Sequence, residues 1–202
     1  MKKTENKSFI KNSPQDNLRS LAIILSAVIC AASGLLSYQI EGTFYPLVIQ
    51  NMMCLFFAGI FGGFSGAAVS GITLMMGALG LPIFSFGSNG LASLSGETGG
   101  FLIGYFIASL FVGIFLGKPQ EEKTSLKKII ISLLIGFLII YIVGIFQYFK
   151  STHIKFSFTI LERILYTSIP LFIFDFIKLI ITSIATYFLR PICAKYFYKE
   201  IG

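Results

Sequence analysis

Residues 42–96 read GTFYPLVIQNMMCLFFAGIFGGFSGAAVSGITLMMGALGLPIFSFGSNGLASLSG and contain no Asp, Glu, Lys, Arg or His. A soluble domain carries roughly a quarter of its residues as charged groups, so a stretch this long without one belongs in lipid or inside a protein. It is too long for a single crossing, because about 20 apolar residues span the hydrocarbon. Glycines divide it at Phe61-Gly62-Gly63-Phe64-Ser65-Gly66, which predicts a second helix near 48–61 and a third near 66–79. The third ends at Gly80-Leu81-Pro82, since proline disfavours helix in the residue before it. Residues 83–100 are rich in Gly and Ser. Irregular backbone cannot face lipid, so they are expected to form a structured loop that folds against protein or lines a cavity.

The rest of the chain follows the same pattern. Of 202 residues, 55% are hydrophobic and 12% charged, with a mean hydropathy of +0.82. That excludes a soluble domain and equally a disordered one, which would be poor in apolar residues. Residues 20–40 carry no charge and lack a small-residue cleavage site, so they read as a first helix and not as a signal peptide. Further spans fall near 99–117, 129–149 and 164–189. The fold class expected is an all-α integral membrane protein, a bundle of six transmembrane helices with a Gly-rich outer loop between helices three and four. Lys2, Lys3, Lys7 and Lys11 make residues 1–17 basic, and together with the 118–128 linker and the 191–202 tail that segment holds most of the Lys and Arg. The positive-inside rule then makes these segments cytoplasmic. A multi-pass plasma-membrane protein results, with residues 18–190 as the substrate-binding domain. Lys150, Lys155 and Arg163 in the second outer loop weaken that orientation without reversing it. The net charge of +7 lies in short patches between apolar runs, unlike the clustered basic face that nucleic acid requires.

Few residues remain for chemistry. Cys30, Cys54 and Cys193 have no neighbours at metal-ligand spacing and read as packing residues. Small residues four apart, as at Gly100/Gly104/Ala108, allow helix backbones to approach closely in lipid. Asp175 and Lys178 stand in the final apolar run at i and i+3, on one helix face. Charges cost at least ~2.5 kcal/mol at a membrane helix centre and are functional by default there. Gln50 and Asn51 open the second helix, and Ser88 and Asn89 lie in the Gly-rich loop; all four suit a neutral polar ligand group in an apolar pocket. His153 reads as a solvated histidine. There is no phosphate-binding loop, nucleophile elbow or carboxylate cluster, so the sequence reads as a binding or translocating protein, not an enzyme, with no metal or cofactor of its own.

Between Pro46 and Gly113 an ordered set of motifs carries a resemblance. It comprises Pro46-Leu47-Val48-Ile49-Gln50, Gly77-Ala78-Leu79-Gly80-Leu81-Pro82-Ile83-Phe84, Gly87-Ser88-Asn89-Gly90 and Gly96-Glu97-Thr98-Gly99-Gly100-Phe101. Beyond it come Tyr141-Ile142-Val143-Gly144 and Pro170 followed by Asp175-Phe176-Ile177-Lys178. In combination these resemble the BioY family, the biotin-binding S components of energy-coupling factor (ECF) transporters. Phe86, Glu97, Phe101 and Ile173-Phe174 depart from the family pattern.

The resemblance implies a six-helix S component that holds biotin near the outer face and works with a transmembrane coupling subunit and two ATPases. Its substrate-binding residues are then Asp175, Lys178, Asn89, Ser88, Gln50, Tyr141, Phe84, Phe86, Thr98 and Phe101. Asp175 would accept from a ureido N–H, while Lys178 would meet either the carboxylate or the ureido carbonyl. Ala27 and Ala31 on the first helix resemble the alanine-spaced stripe that S components offer to the coupling subunit. Two alternatives remain open, an S component for another vitamin and a structural membrane protein that transports nothing.

Overall fold

The computed structural model describes residues 14–154 and 156–198, so Lys2, Lys3, Lys7, Lys11 and Lys155 lie outside the described residues. Seven α-helices follow one another: α1 (Pro14–Gly34), α2 (Gln50–Phe61), α3 (Gly63–Ala78), α4 (Gly90–Ser95), α5 (Gly99–Leu116), α6 (Leu126–Ser151) and α7 (Phe158–Phe197). A two-residue antiparallel pair, β1 (Ser37–Tyr38) with β2 (Leu47–Val48), closes the connection between α1 and α2. Helices α1, α5, α6 and α7 are long and apolar enough to cross a membrane, whereas α2 and α3 are shorter. The outward surfaces of α6 and α7 present Leu138, Ile142, Phe146, Ile173 and Phe176, all exposed. The buried face of α7 is the polar one, running through Asp175, Lys178, Thr182, Thr186 and Arg190 at a spacing that keeps them on one side of a helix.

The bundle centres on α2 and α5. Helix α5 packs on α6, α3 and α2, while α2 packs on α7, α3 and α1. The Gly100/Gly104 stripe is what lets α5 approach α6. A methyl at Gly100 would overlap Gln147 Cβ and lie 2.6 Å from Val143 O, and one at Gly104 would lie 3.1 Å from Ile140 Cα. Backbones this close gain dispersion contacts that lipid cannot replace. Gly62 separates α2 from α3 with φ +61°, a left-handed conformation that favours glycine.

Several sequence expectations need correction. The first helix is Pro14–Gly34, shifted toward the N-terminus. Pro14 opens it, where a missing N–H costs nothing, and Arg19 pairs with Asp16 at 2.8 Å. The 83–100 segment is not all loop, because it contains a 3-10 turn (Ser85–Gly87) and α4. In α4, Ser93 Oγ donates to Asn89 O and Ser95 Oγ to Leu91 O. Helix α7 runs for 40 residues through Pro170 and Pro191, so it takes in residues 158–163 of the expected 150–163 loop and continues past residue 190, where a tail was expected. Cys193 and Ala194 are buried within that continuation.

Ala27 and Ala31, expected to face a partner subunit, are buried inside this chain instead. Thr73 Oγ1 of α3 donates to Ala27 O at 3.2 Å, and the face that α1 turns outward carries Leu21, Leu25, Val28 and Ile29. The small residues serve the α1–α3 contact. Ala27→Leu is therefore expected to overpack that contact by about 1–3 kcal/mol, seen as a lower melting temperature of the purified chain in detergent. An unchanged melting temperature would return the stripe to the outside.

Candidate functional site

Seven of the ten expected binding residues converge on one cavity of about 570 Å³, mouth included: Asp175, Lys178, Ser88, Thr98, Phe84, Phe101 and Tyr141. The cavity lies at the end of the bundle where α2 and α5 begin. Its floor is the polar pair on α7. Lys178 Nζ donates to Asp175 Oδ1 at 2.8 Å, to Val48 O at 2.6 Å and to Asn51 Oδ1 at 3.2 Å. An ammonium has three protons, so all are committed. Asp175 Oδ1 also accepts from Asn51 Nδ2 at 3.4 Å, and Oδ2 accepts from the Tyr141 hydroxyl. A carboxylate has about four lone-pair positions, which leaves Asp175 Oδ2 open to one more donor. The pair is nine-tenths buried, with its partners supplied by β2, α2 and α6.

The walls are aromatic. Tyr45 stands 4.7 Å from Phe101 and 5.5 Å from Tyr141, ring centre to ring centre, and Tyr141 meets Phe172 edge-on at 5.0 Å. The buried Tyr45 hydroxyl lies near Tyr141 and Ser168 but makes no hydrogen bond of normal geometry to either. Burial pushes its pKa upward from the ordinary value, so it stays a protonated donor. Leu171 and Ile140 complete the apolar lining, with Ser85, Ser88 and Thr98 at the mouth. The arrangement suits a ligand with a compact apolar body, at least one N–H or O–H donor for Asp175, and polar groups that meet hydroxyls.

Three expected residues fall outside the cavity. Phe86 is 61% exposed with φ 57°, turned away by the 3-10 turn it sits in. Asn89 is exposed in extended backbone immediately before α4. Gln50 is buried behind the cavity wall, where its Nε2 donates to Cys30 O at 3.3 Å and Ile83 O at 3.2 Å. Asn51, one residue on, occupies the floor in its place. Tyr45 and Tyr105 also line the cavity. The sequence signal for Tyr45 was its place immediately before Pro46, which holds it in extended backbone at the opening of a recognised motif.

At the opposite end, Arg190 is 1% exposed. Its Nε donates to Thr124 Oγ1 at 3.0 Å, Nη2 to Leu116 O at 2.9 Å and Gly117 O at 2.8 Å, and Nη1 to Gly59 O. These carbonyls close the ends of α2 and α5, where helices leave acceptors without intrahelical partners and carry partial negative charge. Positive-inside reasoning treats such a residue as part of a solvated tail and gives no signal of this role.

Residues 6–195 match the sequence model described as the BioY family. The chain is 31% identical over 101 residues to the biotin transporter BioY of Lactococcus lactis subsp. cremoris (strain MG1363), which is 49% of this chain and 53% of that protein. It is 28% identical over 139 residues to the biotin transporter BioY of Thermotoga maritima, covering 69% of this chain and 77% of that one. The chain thus spans about half the length of the first relative and about three quarters of the second. Among solved structures it is similar to the S-component for biotin from an ECF-type ABC transporter, with a TM-score of 0.74 and 24% identity over 89% of this chain and 94% of that one. At that identity the likeness is one of fold.

Proposed function

The chain belongs to the BioY family, and from that premise we propose that it captures biotin and carries it across the plasma membrane as the S component of an ECF-type transporter. In this reading α1, α2, α3, α5, α6 and α7 cross the bilayer as six spans, with α4 in the outer segment. The cavity opens outward, and both termini and the Arg190 end are cytoplasmic. A coupling subunit and two ATPases of an ECF module supply the energy, and the chain needs no cofactor of its own.

The observation that carries the reading is the open acceptor position on Asp175 at the floor of an aromatic cavity. Biotin offers two ureido N–H donors beside a compact apolar ring system. One N–H meets Asp175 Oδ2, and the ring packs between Phe84, Phe101 and Tyr141. Lys178 holds Asp175 in place, while the carboxylate tail lies toward Ser88 and Thr98 at the mouth. The Tyr45 hydroxyl is a second donor, aimed at the ureido carbonyl.

A panel of vitamins added to the purified chain tests this. Ligand at 100 times its Kd stabilises by about 2.7 kcal/mol, a rise of several degrees in melting temperature for a chain of this size. Biotin is expected to give that rise. A rise with another vitamin alone would make this an S component of different specificity, and none at all would favour the structural reading.

A further inference from the structure

Gln50 makes no contact with the cavity, yet its position explains how one wall is held. Residues 83–88 form a self-bonded loop: Phe84 N–H donates to Ser88 O at 3.1 Å, and Gly87 N–H donates to Phe84 O at 2.9 Å. Such a loop moves as a unit, and two side-chain hydrogen bonds from outside fix it. Ser37 Oγ accepts from Phe86 N–H at 2.8 Å, and Gln50 Nε2 donates to Ile83 O while sharing its donors with Cys30 O of α1. Gly34 sits under the second contact, because any Cβ there would overlap Ile83 O and lie 2.8 Å from Gln50 Nε2. That bond therefore depends on a glycine in α1, an amide in α2 and a carbonyl in the loop.

Phe84, the next residue, lies with its ring against Gly77 and forms a wall of the ligand cavity. Behind it lies a second, smaller chamber lined by polar residues (Gln50, Ser70, Thr73) and apolar ones (Cys54, Leu74, Leu102) alike. The Gln50 Oε1 in this region is buried without a hydrogen-bond partner. The Phe84 ring is 1% exposed and packs within the apolar core, and the Gln50 bond to Ile83 O anchors the residue immediately before it.

We propose that Gln50 is a positioning residue for ligand retention: its bond to Ile83 O seats Phe84 and sets how fast the bound ligand leaves. This rests on the biotin reading above. Removing one buried hydrogen bond of ordinary strength changes a rate by about tenfold when that bond must break first. Gln50→Met keeps the shape and removes the donor. Gly34→Ala acts on the same contact from the α1 side and serves if Gln50→Met does not fold.

Two readouts are needed. Biotin dissociation from Gln50→Met should be about tenfold faster than from the unsubstituted chain, measured at a temperature where both are fully folded. Independently of any ligand, Ser85→Cys in the loop should react with a water-soluble maleimide several-fold faster when Gln50→Met is also present. Equal dissociation and labelling rates would overturn the proposal. So would a lower melting temperature accompanied by an unchanged dissociation rate in the surviving folded fraction, which is the signature of a purely structural glutamine. If the unsubstituted chain binds no biotin but labelling still accelerates, the functional reading fails and the tether stands.

Discussion

Arg190→Met is expected to produce a large loss of stability with little change in the ligand affinity of the folded fraction. The substitution leaves Gly59 O, Leu116 O, Gly117 O and Thr124 Oγ1 without their donor, in a place where water has little access. Each buried polar group left unsatisfied costs about 1–3 kcal/mol. The losses share one side chain and do not add fully, so about 3–5 kcal/mol is expected, or roughly 6–20 °C in melting temperature for a chain of this size. Arg190→Lys should recover only part, because three protons on a point charge cannot serve four acceptors held by a planar fork. The cavity lies about four helical turns away along α7, some 22 Å, so biotin titration of protein kept cold should give nearly the unsubstituted Kd. A melting temperature within 2 °C of the unsubstituted chain would remove Arg190 from the framework.

The second large effect concerns the floor of the cavity. Asp175→Asn strands an ammonium and Lys178→Met strands a carboxylate, and an uncompensated buried charge typically costs 3–5 kcal/mol. The double substitution removes both charges together. It should therefore be more stable than either single variant, with a coupling well beyond the 0.5 kcal/mol scatter of independent sites. Binding should behave differently. All three variants alter the acceptor at Asp175 Oδ2, or the cation that holds it, and should lose at least tenfold in biotin affinity, the value of one charge-assisted bond. Additive melting losses would mean that the two groups do not act as a pair, and a double variant of full affinity would move the ureido group elsewhere.

How far the sequence disclosed these features depended on whether a residue's environment is written next to it. Asp175 and Lys178 were legible because two charges three residues apart in an apolar run have little choice but each other. Phe84, Phe101, Tyr141 and Thr98 came from a recognised motif, and the cavity collects them. Phe86 and Asn89 lie beside or within these motifs but sit on the far side of a tight turn, and adjacency in sequence does not say which way a turn throws its side chains. Gln50 and Asn51 differ by one position, about 100° around a helix, enough to exchange a place behind the wall for one on the floor. Ala27 and Ala31 failed for a related reason. A helix apolar all round carries no mark of which face meets the bundle. Arg190 was hidden because a basic residue near the end of a span reads as an interfacial anchor, and only the three-dimensional return of the α2 and α5 ends shows otherwise.

The long α7 has a consequence for how the protein is made. Its buried Asp175, Lys178 and Arg190 take every hydrogen-bond partner from residues already synthesised: Val48, Asn51, Gly59, Leu116, Gly117, Thr124 and Tyr141, apart from the Asp175–Lys178 bond within the helix itself. A segment with such charges is a poor passenger for the insertion machinery when it enters lipid alone. Here every one of these partners precedes α7 in the chain, so each has been synthesised and is available when α7 enters the bilayer and packs on α2 and α6. The order of the chain thus acts as an assembly programme, in which the helix least able to stand alone in lipid arrives after the partners that receive it.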